Sequence, residues 1–226
     1  MGRVLIKKRE IVIPGEVLAE GMDFVPGEGT FRAGERILSS VLGLLEIKGR
    51  SIKVIPLAGR YIPKPGDYVI GRVDEVLFSS WIVDINSPYM GNLGIANAIE
   101  EFIDPTKQDL SDYYDIGDWL FTKILSVGKT KQVQLTMKDE KVRKLSDGQV
   151  ISINPMKVPR VIGSRGSMIK LLATKTGCNL LVGQNGRVWI CGSAEATKLV
   201  IKAIRRIERE SHVLGLTDRI AKMLEK

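Results

Sequence analysis

Gly163 and Gly166 bracket a four-residue turn, Gly163-Ser164-Arg165-Gly166, between the apolar "VPRVI" and the helix-forming "SMIKLLATKT". Few folds place such a turn immediately ahead of a helix. Free backbone N–H groups and the positive end of the helix dipole attract anions there, so a phosphate is the first candidate occupant. A nucleoside-triphosphate loop requires G-x-x-x-x-G-K-[ST], and no such run follows either glycine. A dinucleotide fingerprint requires a third glycine in G-x-G-x-x-G spacing directly after a parallel strand, which is also absent. What remains is G-x-x-G joining two short helices, and because the tetrapeptide also occurs in ordinary turns, its surroundings must decide its use.

Those surroundings read β-α-α-β-β-α. "QVISINPMKV" reads as a strand, "PRVI" as a short helix beginning at Pro159, and "SMIKLLATKT" as a helix ended by Gly177. "CNLLVGQ" and "RVWICG" then flank Asn185-Gly186, whose preference for positive φ predicts a tight hairpin turn. Ser193 is a plausible N-cap for a long helix to about His212. On that helix Leu199, Val200, Ala203, Ile204 and Ile207 recur as the buried face and Lys198, Lys202, Arg205, Arg206 and Arg209 as the exposed one.

Charge is distributed in the same sense. The 226-residue chain carries a formal +8, but residues 151–226 hold 14 basic against 5 acidic groups and residues 66–145 hold 9 against 13. A positive field on the segment with the glycine turn is expected of a polyanion-binding module, although a solvated basic helix surface gives the same excess.

Residues 1–65 contain short apolar strands broken by turns, "IVIPGE", "FVPGEGTF" and "IKGRSIKVIPL", with no helical period, and read as a small all-β module. The proline-rich "YIPKPGD", Tyr61 to Asp67, reads as the join to a second module. Residues 66–145 follow with five strands and a long acidic connection between the third and fourth, the order of a small antiparallel OB-type barrel. Residues 149–226 are the β-α-α-β-β-α module with its C-terminal helices. The expected fold class is therefore multi-domain, mainly β plus α+β.

Several functions are excluded or weakened. No apolar run approaches a membrane span and the N-terminus lacks a signal-peptide core, so the chain is expected in the cytoplasm without a membrane partner. Gly2 does not make a myristoylation signal, because Ile6 stands where Ser or Thr is needed. Cys178, Cys191 and the single His212 cannot build a zinc site, and one histidine argues against triads and most histidine acid–base chemistry. The cysteines are expected to be buried and reduced, and His212 to be a helix-end residue. Asp109, Asp112 and Asp115 in "DLSDYYD" could hold Mg²⁺ in a nuclease, but all lie in one loop without a basic or nucleophilic partner, as a solvated acidic loop would. Neither metal nor cofactor is expected, and no catalytic residue is assigned.

"VIGSRGSMIKLL" followed by "VWICGS" resembles a type I KH domain over nearly its whole length, and the middle module, opening with "GD" and returning with "GDWLFTKILSV" and "VQLTM", resembles an S1 RNA-binding domain. The KH resemblance implies that Gly163, Ser164, Arg165 and Gly166 approach a sugar-phosphate backbone, that Arg160 and Arg165, with Lys170 nearby, meet phosphates, and that bases lie on Ile162 and Ile169. In the S1 segment "SSWI" stands where that family shows an aromatic-glycine-x-aromatic run, and Gly94 stands where it shows a histidine. Trp81 and Phe78 remain as candidates to stack bases, with core packing as the other reading, and Lys129 and Lys131 in "VGKTKQ" as phosphate candidates.

An N-terminal β module, one S1 and one KH, together with "IVIPGE", "GEGTF" and "SSWIVDIN", resemble the RNA-binding cap subunits of the archaeal exosome. That resemblance implies a non-catalytic subunit docked through its N-terminal module on a hexameric ring of phosphorolytic subunits. It would act in a trimeric cap, alone or mixed with the zinc-ribbon cap subunit, and pass single-stranded RNA 3′ ends to the ring. A free-standing S1-KH factor of transcription or translation is the alternative.

Overall fold

The computed structural model describes residues 2–101, 108–211 and 215–224. The chain divides into two compact units, Met1–Gly59 and Arg60–Lys226.

The first unit is all β. Its strands are β1 (Arg3–Val4), β2 (Ile11–Val12), β3 (Val17–Glu20), β4 (Val25–Pro26), β5 (Thr30–Ala33), β6 (Arg36–Ser39), β7 (Gly43–Lys48) and β8 (Ser51–Pro56). They form two four-stranded sheets, ordered β1-β3-β6-β5 and β2-β7-β8-β4. Alternation along β7 and β8 turns Leu45, Ile52 and Val54 inward, where they meet Val12, Leu18 and Ile37 from the other strands in one shared core.

In the second unit, β9 (Tyr68–Val76), β10 (Ser80–Asp84), β11 (Gly91–Gly94), the short α1 (Ile95–Ala98), β12 (Trp119–Val127) and β13 (Val133–Thr136) build the barrel. The order is β13-β11-β10-β9-β12, and β12 also pairs with β13, so the five strands close. One pair, β11 with β13, is parallel. β14 (Arg143–Leu145) extends the sheet on the edge of β12. The proline-rich join belongs to this unit: Tyr61 is buried in the barrel core, and its hydroxyl donates to Asp67 Oδ2 at 2.6 Å. Burial, then that hydrogen bond, hold the phenol above its ordinary pKa.

The remaining elements are β15 (Gln149–Ser152), α2 (Val158–Ile162), α3 (Ser167–Thr176), β16 (Asn179–Val182), β17 (Arg187–Cys191), α4 (Ala194–Arg209) and α5 (Leu216–Leu224). The sheet order is β15-β17-β16, all antiparallel. The strand read over "QVISINPMKV" ends early because Asn154 accepts a hydrogen bond from Met156 N and Pro155 opens a 3-10 turn. Gly177, at φ 68°, ends α3, and the Ser193 hydroxyl caps α4 by accepting from Ala196 N at 3.3 Å. Val200, Ala203, Ile204 and Ile207 face the core with Val158, Met168 and Leu172, and α5 adds Leu216, Ile220 and Leu224. The helix α4 stops at Arg209, and the expectation for His212 lies outside the described residues.

Barrel and α/β module are joined as one unit. The hairpin expected at Asn185-Gly186 joins β16 to β17, with Gly186 at φ 79° but Asn185 outside the positive-φ region. Residues 183–186 form the connection, closed by Gly183 N to Arg187 O at 2.8 Å, and Asn185 is fully buried. Its amide accepts from Ile70 N (3.2 Å) and donates to Ile70 O and Ile85 O (both 2.8 Å). Arg187 reaches Asp84 through the carbonyl (2.6 Å) and the carboxylate, and Asn86 donates to Asn185 O. Ile70, Phe121, Leu145 and Trp189 bury a separate apolar cluster across the seam. Apolar contact together with satisfied buried polar groups makes this seam rigid.

Candidate nucleic-acid interface

The turn Gly163–Gly166 stands between α2 and α3 in an irregular conformation. Gly163 has φ 75°, and a Cβ there would lie 2.7 Å from Met168 N, so the close crossing of the two helices itself requires glycine. Gly166 is left-handed at φ 77°, and so is Arg165 at φ 52°. This conformation leaves Ser164 and Arg165 exposed. No side chain caps the start of α3; the backbone of the turn does so instead, Ser167 N donating to Ser164 O and Gly166 N to Gly163 O. Arg160 and Lys170 are also exposed, and the Lys170 chain lies beside Gly166.

Beside the turn runs a groove of about 420 Å³. Ile162 of α2 and Ile169 of α3, both half-buried, line it together with Leu180, Leu181 and Val182 of β16. The structure thus brings the two expected base-contacting isoleucines together. The residues of β16 carried a visible signal, since three consecutive apolar residues, Leu180, Leu181 and Val182, exceed what one face of a strand needs. The rest of the lining, Phe121, Lys141 and Arg143 with Glu140, comes from the barrel and had no signal in the sequence, because only the tertiary seam places it there.

The barrel residues expected to bind RNA fare differently. Trp81 is fully buried; its Nε1 donates to Tyr114 O at 2.8 Å, and its ring stands edge-on to Tyr114. It is a core residue and cannot stack on a base. Phe78 is 69% exposed at the β9–β10 connection. Lys129 and Lys131 are exposed in the β12–β13 turn, beyond the far end of β12 from Phe121, and do not line the groove.

The acidic loop has local duties. Asp109 accepts from Ser111 N at 2.9 Å, which holds its carboxyl below the ordinary value, and Asp115 Oδ1 accepts from Ile116 N at 2.7 Å. Among the described residues no group of three or more His, Cys, Asp or Glu could hold a metal ion, and no helix is long and apolar enough to cross a membrane. Both cysteines are free thiols; Cys178 is buried, whereas Cys191, expected to be buried as well, is half-exposed.

A closed five-stranded barrel fused to a β-α-α-β-β-α module with an exposed G-x-x-G turn defines the class of S1-KH nucleic-acid-binding proteins. Comparison with known proteins agrees. Family models match residues 9–58 (exosome RNA binding protein RRP4 N-terminal domain), 60–104 (RRP4, S1 domain) and 148–196 (KH domain). The exosome complex component Rrp4 of Thermococcus kodakarensis is 47% identical over 99% of this chain and 88% of its own length. That of Methanothermus fervidus is 47% identical over 98% and 97%. A crystal structure assigned as an exosome complex RNA-binding protein superimposes with a TM-score of 0.69 at 36% identity, covering 74% of this chain and 96% of its own. The chain belongs to the Rrp4 family of exosome components.

Proposed function

We propose that this chain is a non-catalytic RNA-binding subunit of an exosome, acting in the cytoplasm, that captures single-stranded RNA and delivers its 3′ end to a ring of phosphorolytic subunits. The observation that carries the reading is the exposed Ser164-Arg165 pair in a turn whose neighbours in the chain, Ile162 and Ile169, line an apolar groove. A single strand presents alternating charge and flat apolar bases, and this site offers donors for one and an apolar floor for the other. The first unit supports docking on the ring: Ile11, Ile13, Met22 and Val25 are each more than half exposed there, an apolar display that a partner would cover. Three copies would make the cap, alone or with the zinc-ribbon subunit.

The test is recovery of the tagged chain from its own cell extract after RNA has been digested. A ring-sized assembly containing phosphorolytic subunits is expected. A lone 25.0 kDa protein would favour a free-standing S1-KH factor instead.

A further inference from the structure

We infer that the RNA groove is composite: the KH module supplies its floor, and the barrel supplies a cationic wall, Lys141 and Arg143, that holds the phosphates of the same strand. The inference rests on the RNA-binding reading above and adds a site to it.

Lys141 and Arg143 are exposed and line the same groove as Ile162 and Ile169. The Lys141 ammonium lies 5.5 Å from the Tyr68 ring centroid, and the Arg143 guanidinium lies 5.6 Å from that of Trp189. Aromatic faces hold the cations in place without supplying a counter-charge, so the positive field persists at the groove. Glu140 is the one acid on the wall, against two bases. Tyr68 and Trp189 are themselves part of the apolar seam between barrel and KH module. The wall therefore keeps a fixed distance from the floor, as a preorganised site requires. Arg165 and Lys170 continue the same charge at the turn, so one strand can run from the clamp along the wall. The barrel thereby contributes to RNA binding although Trp81 is sealed in its core.

The experiment uses the full chain and a fluorescent single-stranded oligoribonucleotide of mixed sequence, with affinity measured across a range of salt. Three variants are compared with the native protein: Lys141→Gln, which leaves the Arg143 guanidinium on Trp189 intact, Lys141→Gln with Arg143→Gln, and Ser164→Asp with Arg165→Asp. Neutralising one phosphate-binding cation should lower the slope of log K against log salt by about 0.7, so the single wall variant should bind roughly threefold and the double variant roughly tenfold more weakly at low salt. Unchanged affinity and slope in both wall variants, while the clamp variant no longer binds, would overturn the composite site and leave the RNA reading standing. Native affinity in the clamp variant would overturn the placing of the strand at the Ser164-Arg165 turn and this inference with it, and no binding by the native protein would overturn the RNA reading itself.

Discussion

The KH module contains two turns of the same glycine spacing, Gly163-Ser164-Arg165-Gly166 and Gly183-Gln184-Asn185-Gly186, and they have opposite fates. In the first, the two central side chains are exposed and one is cationic. In the second, Asn185 is fully buried and its amide makes three hydrogen bonds to barrel backbone at Ile70 and Ile85. The glycines serve close approach in both: Met168 leaves no room for a Cβ on Gly163, and Ile70 N would stand 2.7 Å from one on Gly183. Glycine spacing therefore reports that backbone comes near something. What it comes near differs with the residues between the glycines: the charged side chain of the first turn is left in solvent, where a ligand can reach it, and the satisfied buried amide of the second faces protein.

The largest effect should come from the buried turn. Asn185→Ala leaves the Ile85 carbonyl and the Ile70 N–H without their partner, at a cost of about 2–4 kcal/mol. Denaturant unfolding of the full chain measures this, and a destabilisation below about 0.5 kcal/mol would mean the seam does not depend on that amide. The exposed turn should behave in the reverse way. Ser164→Asp with Arg165→Asp should weaken single-stranded RNA binding by roughly tenfold or more through repulsion. The same variant should change stability by no more than about 0.5 kcal/mol.

A smaller effect should appear with acid. Burial pushes the Asp84 carboxyl up, but the Arg187 hydrogen bond, the Asn86 N–H and the charges of Arg187 and Arg72 outweigh it, and the net shift is downward. A depressed folded pKa gives stability that is present above the unfolded value near 4 and lost as pH falls through the folded one. Unfolding profiles should show the native protein losing stability below about pH 4, with Asp84→Asn less stable at neutral pH and flatter over that range. The smallest effect is expected at Lys129 and Lys131. They lie away from the groove, so replacing both with Gln should alter affinity less than either wall variant does.

Much of this is legible in the sequence. The strands of the barrel, the helices on either side of the glycine turn and the caps at Ser193 and Gly177 follow from period and turn chemistry, which are local, whereas Ile162 and Ile169 were picked out by the KH resemblance. Asn185 escapes such a reading because Asn-Gly favours a tight turn locally, whereas its amide is satisfied by a barrel strand end whose Ile85 lies 100 residues upstream in the chain. Trp81 escapes it for a related reason: an aromatic residue on a strand faces core or solvent according to a register set by β9 and β11. The wall of Lys141 and Arg143 exists only once the seam has formed, so no pattern within their own segment marks it.

The most direct measurement is titration of the isotope-labelled chain with single-stranded RNA, following backbone amide signals at both glycine turns. The account predicts that signals from Ser164 to Lys170 and from Leu180 to Val182 shift, while Asn185 and Gly186 stay in place. Shifts confined to the barrel, or shared by the buried turn, would contradict it.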